Sequence, residues 1–133
     1  MNDSPPEQWF QFAAWRFDIQ AAERLLREKP RETIDISVPG WARAYGLVPR
    51  EPNTFPIISG PDLDPEYALT TDLEKPVILA TLQAKGREPE PLLIDGCHRV
   101  YRANAEGRAT LPAYVLTVAE SLAIRSHVRH GRR

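Results

Sequence analysis

The chain of 133 residues has one cysteine, three histidines and no long apolar run. A single cysteine excludes an internal disulfide and is typical of a reducing cytoplasm, which is where we expect the protein to act. A bilayer span needs roughly 18–20 apolar residues and no stretch approaches that length, so we expect no membrane partner. The first residues also lack the basic and apolar regions of a signal peptide. The histidines and cysteine are not spaced as paired ligands, and a structural zinc site is not expected.

The chain also lacks an excess of charge of either sign. The 17 basic and 18 acidic side chains nearly cancel, so no overall field points to nucleic acid or to a membrane surface. The hydrophobic content of 42% and the charged content of 26% are ordinary for a soluble globular protein. We therefore predict a single domain over residues 1–133 with one core.

The N-terminal part carries apolar side chains at helical spacing. Residues 4–7 (Ser-Pro-Pro-Glu) are typical of a helix start, and Lys29-Pro30 ends the pattern. We predict one amphipathic helix of about 24 residues within residues 1–30, with a break near Asp18 as the alternative. Its aromatic side chains are interpreted as core, and a partner-binding surface is the alternative.

The middle of the chain is rich in proline, which favours loops. Residues 33–38 alternate polar and apolar side chains, which predicts a half-buried strand. We predict a turn at Pro39-Gly40, one or two helical turns over residues 41–46, and an irregular segment from 47 to 65. Residues 67–71 are predicted to be a short strand or an extended lead-in.

Four further elements are predicted, the first two joined by a polar turn. Residues 77–82 form the most β-like run, and residues 85–87 (Lys-Gly-Arg) are typical of a hairpin turn. The chain then returns through an apolar strand at residues 92–94, which we expect to pair with the first strand. A helix over residues 97–106 follows, Gly107 ends it, and another strand covers residues 111–116.

The junction between the strand at 92–94 and this helix has the features of an anion site. Asp95 is a natural N-cap, and Gly96 permits a tight turn from strand to helix. The free N–H groups of the helix start then lie beside Cys97, His98 and Arg99, where a phosphate would be favoured. On the helix, Val100, Ala103 and Gly107 share the face expected to pack on the sheet, and His98, Arg99, Arg102 and Glu106 lie off that face.

The roles of two residues at the junction, Asp95 and Cys97, have more than one interpretation. Asp95 would repel a phosphate, so we expect it to cap the helix, to bind Mg²⁺, or to accept a proton from a hydroxyl. Cys97 at a helix start beside His and Arg should have a depressed thiol pKa and be reactive. A buried, inert sulfur is the other interpretation of Cys97.

The C-terminal part begins with a capping box at residues 117–120 (Thr-Val-Ala-Glu). We predict a helix with Val118, Leu122 and Val128 facing inward. Beyond it, residues 126–133 are predicted to be a loose basic tail. A nucleic-acid contact through this tail is the alternative that we do not favour.

The sequence from Leu92 to Leu116 resembles the ParB N-terminal domain/sulfiredoxin superfamily. The matching pattern is Leu-Leu-Ile-Asp-Gly-Cys-His-Arg-Val-Tyr-Arg-Ala, then Glu-Gly, then Leu-Pro-Ala-Tyr-Val-Leu. The approach through Lys75-Pro76-Val77-Ile78 is also similar, so the resemblance covers residues 73–116. It implies an α/β (α+β) fold with a small mixed sheet flanked by helices, to which this chain would add its N-terminal helix. It also implies a nucleotide whose phosphates lie at the helix start.

Three branches of the superfamily compete. Sulfiredoxins carry Gly-Gly-Cys-His-Arg, and here Asp95 replaces the first glycine. Chromosome-partitioning members carry Gly-Glu-Arg-Arg, and here Cys97-His98 stands where that motif has Glu-Arg. Free-serine-kinase-like members carry Asp-Gly-His-His-Arg, and here Cys97 replaces the first histidine. Those kinases also use an upstream glutamate as base, for which Glu74 is our candidate.

The resemblance thus implies a nucleotide-dependent phosphotransferase or nucleotidase. Gly96, Cys97, His98 and Arg99 would bind the phosphates of ATP or another nucleoside triphosphate, with Mg²⁺ as an optional partner. Asp95, Glu74, Cys97 and His98 are the candidate catalytic residues, and the acceptor would be a small molecule or a protein. The alternatives are a sulfiredoxin-like thiol enzyme that uses Cys97, and a non-catalytic, nucleotide-responsive module that contacts protein or DNA.

Overall fold

The computed structural model describes residues 9–12, 15–47 and 65–127. The strands are β1 (Trp9–Phe12), β2 (Trp15–Asp18), β3 (Ile34–Ser37), β4 (Val77–Leu82), β5 (Glu90–Asp95), β6 (Thr110–Val115) and β7 (Arg125–His127). The helices are α1 (Ile19–Glu28), α2 (Val38–Ala44), α3 (Pro65–Ala68), α4 (Cys97–Ala105) and α5 (Val118–Ala123). The predicted α/β fold class is confirmed. Within these ranges, none of the helices has the length and apolar character that crossing a membrane requires.

The larger sheet is mixed and has the strand order β3-β6-β4-β5. β4 pairs with β5 antiparallel and with β6 parallel, and β6 pairs with β3 antiparallel. The predicted pairing of residues 77–82 with the strand before Gly96 is confirmed, with Leu82 opposite Glu90 and Ile78 opposite Asp95. The hairpin turns at Gly86, whose φ of 76° is in the left-handed region that glycine favours.

The core lies on both faces of this sheet. The first four residues of β4 and the Leu92, Leu93 and Ile94 side chains of β5 are all buried, as expected for strands that are covered on two sides. Val100 and Ala103 of α4 are also fully buried, as predicted, but Gly107, which was placed on the same face, is exposed and lies beyond the helix. α2 packs against α4, and α5 packs against β4.

The N-terminal part is not the predicted long helix. β1 and β2 form an antiparallel hairpin, β7 pairs with the other side of β2, and only α1 is helical. Aromatic side chains at residues 9, 10, 12, 15 and 17 suit a pleated surface better than a helix. Asp18 ends the strand and caps α1, because its Oδ1 accepts from the Ala21 N–H at 3.0 Å. Phe17 is fully buried, as expected of a core aromatic. The predicted cap at Ser4 lies outside the described residues.

Two predictions for the middle of the chain are wrong. Pro39 and Gly40 are in the first turn of α2 and not in a separate turn, because Ser37 caps the helix there and proline suits a first helical turn. Residues 67–71 were predicted to be a strand or an extended lead-in, but residues 67 and 68 end the short helix α3 and the chain continues in turns closed by bonds between residues three apart. Most of the irregular segment predicted for 47–65 lies outside the described residues.

The C-terminal capping box is confirmed: Thr117 Oγ1 accepts from the Glu120 N–H, and the Glu120 carboxylate accepts from the Thr117 N–H. The predicted inner face of α5 is wrong, because Leu122 is 51% exposed and the buried residue is Ser121. The tail predicted from residue 126 is also wrong in its first part, since β7 pairs with β2. Residues 128–133 lie outside the described part of the chain.

Candidate functional site

The candidate site is the turn between β5 and α4. Gly96 occupies it with a φ of 115°, a conformation that side chains with a Cβ rarely adopt. A Cβ on Gly96 would lie 2.3 Å from Val77 Cγ1, so the start of α4 is seated directly on β4. The predicted role of Gly96 in a tight strand-to-helix turn is therefore confirmed.

Asp95 does not cap the helix, which corrects the prediction. The N-cap position of α4 is Gly96, and no side chain accepts a hydrogen bond from the first turn. Asp95 Oδ2 instead accepts a hydrogen bond from Arg99 Nη2 at 2.9 Å, one helical turn along. The consequence is that the N-cap residue of α4 supplies no side-chain cap to the helix start.

Arg99, which was predicted to lie off the sheet-packing face of α4, is buried, with 7% of its surface exposed. Its Nη1 donates to Lys75 O at 2.9 Å and to Pro76 O at 2.7 Å, while Nη2 holds Asp95. A guanidinium is buried here because carbonyls and a carboxylate surround it. Gripping a phosphate with both amino groups, as predicted, would require Arg99 to leave these partners.

Cys97 is buried against the core. Burial, and after it the negative charge of Asp95, raises the pKa of the Cys97 thiol to about 12, although Arg99 acts in the opposite direction. The predicted depressed pKa is therefore wrong, because the sulfur faces inward from the helix start and loses water. The structure matches the alternative interpretation of a small buried sulfur.

Tyr45 is a neighbour of Cys97 that sequence reasoning missed. It is 1% exposed, and its hydroxyl donates to Leu93 O of β5 at 2.7 Å. Burial raises the pKa of Tyr45, and the proximity of Cys97 acts in the same direction. No pattern in the sequence places residue 45 near residue 97, since the contact arises when α2 packs against α4.

His98 is half-buried and lies in the first turn of α4. Its ring packs edge-on against the ring of Tyr67, with 4.8 Å between centroids. Tyr67 is 56% exposed and was also missed, because α3 was predicted to be extended. The structure therefore places an accessible tyrosine beside the candidate phosphate ligand His98.

Glu74, the candidate base, is an exposed residue in the turn before β4. Its backbone N–H donates to Asp72 Oδ1 at 2.9 Å. The next residue, Lys75, offers its carbonyl to Arg99. Glu74 therefore directly precedes, in the sequence, the residue whose carbonyl accepts from Arg99.

In the part of the chain that the structure describes, no group of three or more His, Cys, Asp or Glu side chains could hold a metal ion. Mg²⁺ commonly binds through substrate phosphates and only one or two carboxylates. Asp95, with one oxygen bound to Arg99, fits that lesser role, so Mg²⁺ would come with a nucleotide and not as a resident ion.

Comparison with known proteins found no matching protein-family model, no matching curated protein and no matching solved structure. The resemblance to the ParB N-terminal domain/sulfiredoxin superfamily therefore stays a prediction.

Proposed function

We propose that this protein binds the phosphates of a nucleoside triphosphate at the start of α4 and acts in phosphoryl transfer or nucleotide hydrolysis. The observation that carries the proposal is the helix start itself. The N-cap is a glycine in the left-handed region, and no side chain caps the first turn. The N–H groups of a helix start and the positive end of the helix dipole favour an anion.

The charge balance at this helix start also supports the proposal. A carboxylate beside a phosphate is unfavourable unless it is neutralised, and Arg99 Nη2 lies 2.9 Å from Asp95 Oδ2. Arg99 in this position makes Asp95 compatible with a nearby phosphate without contacting the phosphate itself. We therefore assign Arg99 to positioning and charge neutralisation, and the phosphate contacts to the backbone at Gly96, Cys97 and His98.

The chemical roles follow from what each group can do. His98 is half-buried and near the anion position, where it would donate to phosphate oxygen or transfer a proton. Asp95, or Glu74 from the preceding turn, would orient an acceptor hydroxyl or an attacking water, with Mg²⁺ supplied alongside ATP. Positioning and electrostatic stabilisation would provide most of the rate, as is usual for phosphoryl transfer.

The test is calorimetric titration of ATP, CTP and GTP, each with Mg²⁺, into the wild type and into His98→Asp. The new carboxylate would repel a phosphate at the helix start, so we expect affinity to fall by about tenfold or more. Arg87→Gln changes the net charge by the same amount and is the matched control, because residue 87 lies in the exposed hairpin turn at the other end of β5. We expect that control to bind as the wild type does.

Absence of binding for all three nucleotides, or equal losses in His98→Asp and Arg87→Gln, contradicts the proposal. A phosphate-release assay on the same samples separates turnover from binding alone. Nucleotide binding without release or transfer would assign the chain to the alternative of a non-catalytic nucleotide-responsive module.

The thiol-enzyme alternative is less well supported. A nucleophilic thiolate needs an accessible sulfur with a low pKa. Cys97 is buried and its pKa is raised to about 12. No specific feature of the described residues favours this alternative over phosphate binding.

A further inference from the structure

The segment 66–76 joins α3 to β4 and lies along α4. Its own backbone hydrogen bonds are local and close turns between residues three apart, and only its α3 end is helical. At that end the ring of Tyr67 packs edge-on against His98 of α4. A segment that lacks strand pairing depends on side chains to hold it in place.

Two arginines on successive turns of α4 hold this segment by its carbonyls. Arg102 Nη1 donates to Thr71 O, and Arg99 Nη1 donates to both Lys75 O and Pro76 O. The two arginines differ in accessibility, because 29% of the Arg102 side chain is exposed but only 9% of Arg99. Arg102 therefore holds the outer part of the segment, and Arg99 holds the end that enters the sheet.

Two apolar side chains and one ion pair also attach the segment to the rest of the fold. Ala68 and Leu73 are its buried apolar side chains. Lys75 lies 3.5 Å from Glu23 of α1, but an ion pair this exposed contributes little. Small apolar anchors and a few polar contacts are the features of a unit that opens before the rest of a fold.

We propose that the segment 66–76 is a strap that detaches from α4 while the sheet stays folded, and that Arg102 is the latch that sets its opening equilibrium. Arg99 bonds both to the strap and to Asp95, so opening also removes the carbonyl partners that hold Arg99 at the helix start. Any effect of this opening on ligand binding at the helix start rests on the proposed function, whereas the opening of the strap does not.

The experiment measures how fast a buried thiol in the strap reacts with a thiol-specific reagent. Leu73→Cys is the reporter, placed in a Cys97→Ala background so that it carries the single thiol. We expect Arg102→Ala to accelerate labelling by about tenfold or more, the effect of losing a hydrogen bond to a charged donor. Ser121→Ala is the control, because it removes part-buried hydrogen bonds to Thr81 of β4 and to Thr117 at the start of α5, away from the strap. It should lower global stability in urea and leave labelling unchanged.

If Ser121→Ala increases the labelling rate by the factor that its loss of global stability predicts, residue 73 becomes exposed only when the whole chain unfolds. That result overturns the strap. Labelling indifferent to Arg102→Ala overturns the latch. Circular dichroism establishes that each variant is folded. If Leu73→Cys does not fold, Ala68→Cys reports on the same segment, since Ala68 is also fully buried. None of these readouts needs a nucleotide, so failure of the strap and failure of the proposed function are distinguishable.

Discussion

At the scale of single residues, Gly96 decides where α4 begins. Its φ of 115° and the 2.3 Å approach of a Cβ to Val77 Cγ1 both demand glycine. We predict that Gly96→Ala destabilises the protein by about 1–3 kcal/mol more than Gly86→Ala or Gly107→Ala, as measured by urea unfolding. Those two glycines also have positive φ, but an added Cβ would meet nothing within 4 Å.

The comparison isolates the steric part of the cost, because all three substitutions introduce backbone strain of about 1–2 kcal/mol. Equal losses at the three positions would contradict the close seating of the helix start on β4. A nucleotide titration of folded Gly96→Ala would show whether the same seating matters for binding.

Cys97 provides a second prediction at this scale. With its pKa raised to about 12, the folded protein holds a neutral thiol at pH 8. We expect labelling of Cys97 in the wild type to be about 10²–10³-fold slower than in the urea-unfolded chain at that pH. Fast labelling of the native protein would contradict this and would revive the thiol-enzyme alternative.

The same raised pKa sets a pH dependence of stability. The unfolded chain loses the Cys97 proton near pH 9, whereas the folded chain keeps it to about pH 12. Between these values the folded state binds more protons, so the contribution of Cys97 to stability falls as pH rises above about 9. Comparison of the wild type with Cys97→Ala over this range measures it.

At the scale of elements, α5 is attached to the sheet through one buried hydroxyl. Ser121 is 1% exposed, and its Oγ accepts from the Thr81 N–H at 2.9 Å and donates to Thr117 O at 2.8 Å. We predict that Ser121→Ala costs about 1–3 kcal/mol in urea unfolding, because a buried N–H of β4 is left without its partner. Ser126→Ala, on an exposed residue of β7, should cost less than about 0.5 kcal/mol. Similar losses in both variants would contradict this attachment.

The elements that sequence predicted well are those whose signals are local. The run at 77–82, the glycine turn at Gly86 and the capping box at Thr117 each depend on neighbouring residues, and each is confirmed. β2 pairs with the adjacent β1 and also with β7, more than a hundred residues along the chain, and no local pattern reports the distant pairing. Apolar residues that continue from residue 12 into α1 recur at helical spacing, and the strand pairing overrode that periodicity over residues 12–18.

At the candidate site too, the features that depend on neighbouring residues were predicted and those that depend on tertiary contacts were not. Gly96 and the start of α4 were predictable from the residues themselves. The direction of the Asp95 side chain was not, because its partner Arg99 is fixed in turn by the carbonyls of Lys75 and Pro76. Tyr45, a buried neighbour of Cys97, is brought near it by the packing of α2 on α4, which no local pattern predicts.

At the scale of the whole molecule, one ion pair joins the two ends of the described chain. Arg31, in the connection between α1 and β3, donates to both carboxylate oxygens of Glu120 at 2.6 and 2.8 Å and to Val115 O at 3.1 Å. Glu120 is also part of the α5 capping box. A backbone hydrogen bond from the Asp18 N–H to Ile124 O joins the same two parts of the chain. The Arg31–Glu120 pair therefore reinforces the contact that the pairing of β2 with β7 makes. The side chains of Arg31 and Glu120 are 21% and 13% exposed, and such a bidentate pair is stronger than an open surface one.

This pair predicts an acid-sensitive closure. The hydrogen bonds from Arg31 hold the pKa of Glu120 at about 2, well below its usual value near 4.5. A lowered carboxyl pKa contributes stability that is fully present above about pH 4.5 and is lost as pH falls toward 2. We predict that Glu120→Gln lowers the free energy of unfolding by about 1–3 kcal/mol at neutral pH, and that its difference from the wild type shrinks as pH falls from 4.5 to 2. Glu106→Gln, on the more exposed pair with Arg102, should cost less than about 1 kcal/mol. If Glu120→Gln lowers the free energy of unfolding by as much at pH 2 as at pH 7, the charge of the Glu120 carboxylate is not what stabilises this contact.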